Sequence, residues 1–208
     1  MSAPRPLLVG AHALLVELAT EEATEAFHAE VLRRRAAGEL PPVREIVPGA
    51  RTVLLDGLDD PRALAEELTH AAIPPLPPRD GTVVEIPVRY DGPDLAEVAA
   101  LWRVSPDALP QVLDTVAFRV AFTGFAPGFG YLSGLPARYH TPRRATPRTS
   151  VPAGSVGLAG RYAGVYPRSS PGGWQIIGST DAALWDPARE PAALLTPGVQ
   201  VRLTRVPS

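Results

Sequence analysis

At Ile73-Pro-Pro-Leu-Pro-Pro78 the pattern of the chain changes, and the change narrows the folds open to its 208 residues. Proline fixes φ and removes a backbone donor, so a run this rich in proline makes a stiff, exposed connector. We place a domain boundary just after it, giving domains 1–80 and 81–208. On the N-terminal side, strand-like and helix-like runs alternate. Beyond Ala117 the pattern is short apolar runs broken by glycine and proline. The first pattern suits a small two-layer α/β unit and the second an all-β barrel or sandwich. The fold class is therefore α+β.

In the N-terminal part, residues 11–18 read as a strand. Thr20 is a helix N-cap, Glu21 and Glu22 suit the positive end of the helix dipole, and Gly38 is a stop after Ala37. Arg33, Arg34 and Arg35 sit near the negative end and read as dipole partners. Residues 43–47 and 51–55 read as strands joined by Pro48-Gly49. Asp60-Pro61 opens a second helix ending near Ala72. The order is βαββα, with residues 82–90 available as a further strand, and it suits a ferredoxin-like unit. In the C-terminal part, helices are expected at 94–102 and 105–116, and strands at 118–122, 156–159, 174–177 and 199–203.

Charge is distributed unevenly. The stretch between Asp114 and Asp181 has no acidic residue but seven of the 20 arginines. The remainder carries all 22 acids, so a formal net charge of −2 conceals a basic segment in an acidic body. A segment rich in arginine, serine and glycine is suited to carboxylate or phosphate. Overall charge and aromatic content do not point to nucleic acid. There is no cysteine, which excludes disulfides and thiolate chemistry, and no lysine, which excludes a Schiff base or a P-loop. The four histidines lack metal-ligand spacing, and we expect no metal site. No apolar run is long enough to cross a membrane, and the N-terminus lacks the features of a signal peptide. A cytoplasmic location is expected.

The basic segment holds the candidate site. In Phe125-Ala-Pro-Gly-Phe129, glycines allow close approach to backbone, and Phe125, Pro127, Gly128, Phe129 and Tyr131 are candidates to line a pocket together with Tyr166. A tight barrel corner with packed aromatics would use the same residues. Arg143 and Arg148 each follow a proline, which stiffens the chain that presents them. They fit an anion site; the alternative is a structural ion pair, whose acid would have to come from outside the segment. Ser155, Ser170, Gly172, Gly173 and Trp174 offer hydroxyl and backbone donors for an oxyanion. Ser155 lacks the glycine-flanked elbow of a serine nucleophile, and no catalytic residue is assigned.

In order and spacing, these pieces resemble one family. They are Gly124-Phe-x-Pro-Gly-Phe129, Tyr131-Leu-x-Gly-Leu135, Pro142-Arg-x4-Arg148, Val151-Pro-x-Gly-Ser-Val156, Tyr166-Pro-x-Ser-Ser-Pro-Gly-Gly-Trp174 and Ile176-Ile-Gly178. The family is that of the B-type subunit of prokaryotic 5-oxoprolinase, also called allophanate hydrolase subunit 1, and it includes an inhibitor of a sporulation histidine kinase. The resemblance implies a cyclophilin-like β-barrel for the C-terminal domain. It implies a non-autonomous hydrolase subunit that works with two others, a homologous cyclophilin-like C-type subunit and an A-type subunit of 5-oxoprolinase. Their substrate is a small carboxylate-bearing amide, 5-oxo-L-proline, opened to L-glutamate at the expense of ATP with Mg at the level of the complex. Phosphorylation of the lactam oxygen would need an anion cradle, which Arg143, Arg148 and the Ser-Pro-Gly-Gly turn could form. Alternatives within the family are a kinase-inhibiting module and a component of urea or allophanate breakdown. Family members often carry a His-Ser or His-Thr pair where this chain has Asp114-Thr115.

Overall fold

The computed structural model describes residues 3–75 and 83–206. It divides into two compact units, Met1–Asp80 and Gly81–Ser208. The end of the proline connector, from Leu76, and the first expected residue of the next strand, Thr82, lie outside the described residues.

The first unit runs β1 (Arg5–Val9), β2 (Ala13–Glu17), α1 (Glu21–Ala37), β3 (Glu45–Pro48), β4 (Thr52–Asp56) and α2 (Pro61–Thr69). Its antiparallel sheet has the order β1-β2-β4-β3. The helix boundaries follow from local chemistry. Thr20 accepts a hydrogen bond from the Ala23 N–H at 3.1 Å, and Gly38 closes α1 in the left-handed region with φ 71°. Asp60 accepts from the N–H groups of Arg62 and Ala63, and Pro61 takes the first turn of α2. Leu14, Val16, Phe27, Val53, Leu55 and Leu64 form the centre of its core.

The further strand available at 82–90 does not join this sheet: β5 (Val83–Val88) pairs with a strand at Gln200–Arg205 in the second unit. The strand beside β2 is not the segment after the connector but an N-terminal one, β1, which turns back on β2 through Gly10. The strand order is that of a ferredoxin-like sheet whose edge strand arrives from the N-terminus instead of the C-terminus. Pro4 and Pro6 obscured β1 in the sequence. An edge strand tolerates a proline, because one side of it needs no donors.

The second unit runs β5 (Val83–Val88), α3 (Leu95–Trp102), α4 (Ala108–Asp114), β6 (Phe118–Thr123), β7 (Gly130–Ser133), a 3-10 turn (Ala137–Tyr139), β8 (Arg148–Val151), β9 (Ser155–Ala159), β10 (Tyr162–Val165), β11 (Ser170–Gly172), β12 (Gln175–Ser179) and β13 (Gln200–Arg205). Seven strands form one sheet in the order β12-β9-β10-β7-β6-β13-β5. Just past β5, Arg89 exchanges two backbone hydrogen bonds with Ser179 at the end of β12, each 2.8 Å long, so the sheet nearly closes into a barrel. Closure leaves little free edge and gives alternate strand residues a common interior. Ile86, Phe118, Val120, Leu132, Leu158 and Leu203 lie there, and α3 and α4 add Val98, Trp102, Leu109 and Leu113. Strands β8 and β11 form a separate two-stranded ribbon. Helix α4 is shorter than expected, and β7, β8, β10 and β11 were not foreseen. Among the described residues, no helix is long and apolar enough to cross a membrane.

Candidate functional site

The arginines of the acid-free segment divide according to what surrounds them. Arg148 opens β8 and donates from both terminal nitrogens to Asp94, at 2.9 and 2.7 Å. Arg144 donates to the same carboxylate at 2.8 Å, and the Ile176 backbone N–H donates at 2.6 Å. Asp94, just ahead of α3, is only 3 % exposed. Burial alone would push its carboxyl up. The hydrogen bonds from Arg148 and Ile176 and the charges of Arg148 and Arg144 outweigh that and hold it below the usual carboxylate range. The acid that the segment lacked is thus supplied from 54 residues upstream. Arg148, expected beside Arg143 in an anion cradle, turns its fork into this buried cluster.

Arg143 is different. It is exposed and makes no hydrogen bond or ion pair among the described residues. Its Nε lies 3.9 Å from where a side chain on Gly173 would begin, and its charge acts on the Tyr166 hydroxyl. The Tyr166 phenol is pushed up, chiefly by burial, and Arg143 opposes the shift. Gly172 lies against that phenol: a Cβ there would fall 2.3 Å from the Tyr166 oxygen. Glycine at 172 is therefore required for the turn to cross the ring. Arg143, Gly172, Gly173, Trp174 and Tyr166 are one neighbourhood.

Ser170 is tied to its own turn through the Arg168 carbonyl at 3.4 Å, and Ser169 contacts Ser150 across the ribbon at 3.0 Å. Ser155 is 5 % exposed at the start of β9. No histidine or carboxylate bonds its hydroxyl among the described residues, so it has no nucleophile's partners. His140, the one histidine of the segment, contacts the Leu135 carbonyl through Nε2 at 3.2 Å. No group of three or more metal-ligating side chains occurs among the described residues.

The aromatic residues form a continuous edge-to-face cluster. Phe129 meets Phe125, Tyr131, Tyr166 and Trp174 at centroid distances of 5.3, 5.0, 5.5 and 5.4 Å. Phe129, Tyr166 and Trp174 are buried, whereas Phe125 is 57 % exposed and has φ 67°. A phenylalanine in the left-handed region is strained by about 1–2 kcal/mol. Beside it lies an open groove of about 430 Å³. Residues 123–128 form one wall, and Trp185, Ala193, Leu195, Thr196 and Pro197 form the other.

The pocket-lining expectations therefore separate. Phe125, Pro127 and Gly128 line the groove, while Phe129, Tyr131 and Tyr166 do not. The second wall had no signal in sequence. Asp94 was missed as well, because an aspartate ahead of a helix reads as an ordinary cap. Taken together, the site offers a free guanidinium, a glycine turn and an aromatic face. Its one buried carboxylate, Asp94, is fully engaged, and the exposed Glu97 lies near Pro142 with its charge acting on Arg148.

The chain matches the family model described as "Carboxyltransferase domain, subdomain C and D" over residues 4–195. It is 40 % identical to the B-type subunit of 5-oxoprolinase from Escherichia coli O157:H7, over 97 % of this chain and 96 % of that one. The corresponding 5-oxoprolinase subunit of Bacillus subtilis (strain 168) is 47 % identical over 60 % of this chain and 53 % of its own length. Among solved structures, TTHA0988 superposes with a TM-score of 0.76 at 33 % identity, covering 95 % of this chain. The present chain spans only 40 % of that longer one. PH0987 of Pyrococcus horikoshii covers 97 % of both chains at 30 % identity and TM-score 0.58. The K. lactis urea amidolyase shares the fold at 18 % identity and TM-score 0.69, with 15 % of its chain covered.

Proposed function

The chain belongs to the carboxyltransferase family of subdomains C and D, and on that premise we propose that it is the B-type subunit of an ATP-dependent 5-oxoprolinase. The observation that carries the proposal is the match to a relative of that name over nearly the full length of both chains. Opening a lactam needs the carbonyl activated, water delivered and a proton given to the leaving nitrogen. This chain contributes binding to that scheme. The Arg143 guanidinium and the backbone at 172–174 suit the substrate carboxylate or a developing oxyanion, and the aromatic face at Phe125 suits the ring.

The remaining groups must come from elsewhere. Asp94 is enclosed by two arginines and a backbone N–H, and the segment from 115 to 180 has no acid. An anion fits this site, but Mg does not, because Asp94 is fully engaged and Glu97 is a single carboxylate whose charge already acts on Arg148. We therefore assign the nucleotide and its metal to another polypeptide of the complex, and the base to an A-type or C-type partner. The requirement for ATP is the reason to place the complex in the cytoplasm.

The test is co-expression with candidate A-type and C-type partners. The complex should release glutamate from 5-oxo-L-proline only with ATP present, and the isolated chain should release none. Turnover of urea or allophanate in place of 5-oxoproline would transfer the assignment to the other amide. Turnover by the isolated chain would contradict the shared site.

A further inference from the structure

The wall of the groove that carries Trp185 belongs to residues 180–199, which hold no strand or helix between β12 and β13. Such a segment must satisfy its carbonyl groups without a ladder. Three backbone bonds fold its first part into a strap. The Asp186 N–H donates to the Ala192 carbonyl and the Leu194 N–H to the Leu184 carbonyl, each at 2.9 Å, and the Arg189 N–H donates to the Asp186 carbonyl at 3.1 Å. The Asp186 carboxylate accepts from the Ala188 N–H at 2.9 Å and shapes the tip. One half-buried side chain does the rest. Arg189 donates from Nε to the Pro191 carbonyl at 3.3 Å and from Nη1 to that of Ala183 at 3.2 Å. Its Nη2 donates to the carbonyls of Ala192 at 2.9 Å and Leu184 at 3.4 Å. Two of these acceptors lie on each arm of the strap, and a planar fork with five N–H groups can tie both arms at once.

The strap seats directly on the opposite wall. A Cβ on Gly128 would lie 3.0 Å from the Trp185 Cβ and 3.1 Å from the Leu184 carbonyl oxygen, and one on Gly130 would lie 3.0 Å from the Leu195 Cβ. The two walls are therefore in contact, and the opening between the exposed rings of Phe125 and Trp185 depends on how the arms of the strap are held. Arg189 does not itself line the groove. We propose that Arg189 is a positioning residue: it clamps the strap so that Trp185 and Phe125 present a groove of fixed width to the lactam ring. The ring rests on the function proposed above; the clamp does not.

Two measurements on Arg189→Ala test this. In the full chain, hydrogen exchange of the Asp186 and Leu194 amides reports the strap, and that of the β9 and β10 amides reports the barrel. The strap amides should exchange at least about tenfold faster while the barrel amides hold, as in a local opening. Arg189→Lys should be intermediate, because a point charge does not span both arms. In the complex with A-type and C-type partners, Arg189→Ala should raise KM for 5-oxo-L-proline roughly tenfold and leave kcat within about threefold, the pattern of lost binding. Should Arg189→Ala not fold, Arg189→Lys decides by the same readouts. Unchanged strap exchange, equal acceleration in strap and barrel, or an unchanged KM would overturn the assignment. A wild-type complex without 5-oxoproline turnover would count against the proposed function, and the exchange pattern would still decide the clamp.

Discussion

Arg143 and Arg148 share one loop, carry the same charge and each follow a proline, yet their surroundings differ. Arg148→Ala removes two hydrogen bonds from a buried carboxylate. Breaking such a pair costs about 3 kcal/mol, or a fall of roughly 6–12 °C in Tm for a chain of this size. Arg143→Ala disturbs no contact and should leave Tm within about 2 °C. In the assembled complex it should lower turnover roughly 10- to 1000-fold, the loss of one charged donor at an oxyanion. Thermal melts and the ATP-dependent glutamate assay separate the two; equal Tm losses would place Arg143 in the core cluster as well. Asp94 gives a pH signature. Its folded pKa lies below the unfolded value, so its stabilisation is complete above about pH 4 and is lost as pH falls through the lower folded pKa. Stability should therefore decline more steeply below about pH 4 in the wild type than in Asp94→Asn. Parallel denaturation curves for the two would exclude a paired carboxylate.

Elements with their own punctuation were legible from sequence. Helix α1 is bounded by Thr20 and Gly38, and both end residues bond the helix backbone directly. Strands rich in glycine were not legible. In β10 a Cβ on Gly164 would lie 2.9 Å from the Phe129 ring and 3.0 Å from the Trp174 ring. The glycine that makes β10 look like a loop is there because aromatic rings cover the strand. The same logic governs the ribbon of β8 and β11, where Gly172 crosses Tyr166. Gly172→Ala should cost about 1–3 kcal/mol by overpacking. Adding Tyr166→Phe, which removes the oxygen it strikes, should recover much of the loss. Chemical denaturation of the two single variants and the double variant measures this coupling. Simple additivity would mean that the clash is relieved by movement of the ribbon instead.

For the whole molecule, the full engagement of Asp94, the buried acid beside Arg144 and Arg148, sets the expected behaviour. The isolated chain should be folded but inert towards 5-oxoproline, and activity should appear only on assembly. Circular dichroism with the glutamate assay checks both halves of that statement. Local chemistry was sufficient to read the α+β class, the helix caps, the main barrel strands, the basic segment and the motifs that carry the family resemblance. Each depends on residues close together in the chain: a cap and its N–H, a glycine stop, an alternating run. Tertiary structure alone decided which strand completes the first sheet, which acid meets Arg148 and Arg144, and what forms the second wall of the Phe125 groove. The first is a hairpin between near neighbours such as Val9 and Ala13, whose strand its prolines hid; the other two join residues 50 or more positions apart, such as Asp94 and Arg144. Only the closed path of the backbone brings such groups within reach of one another.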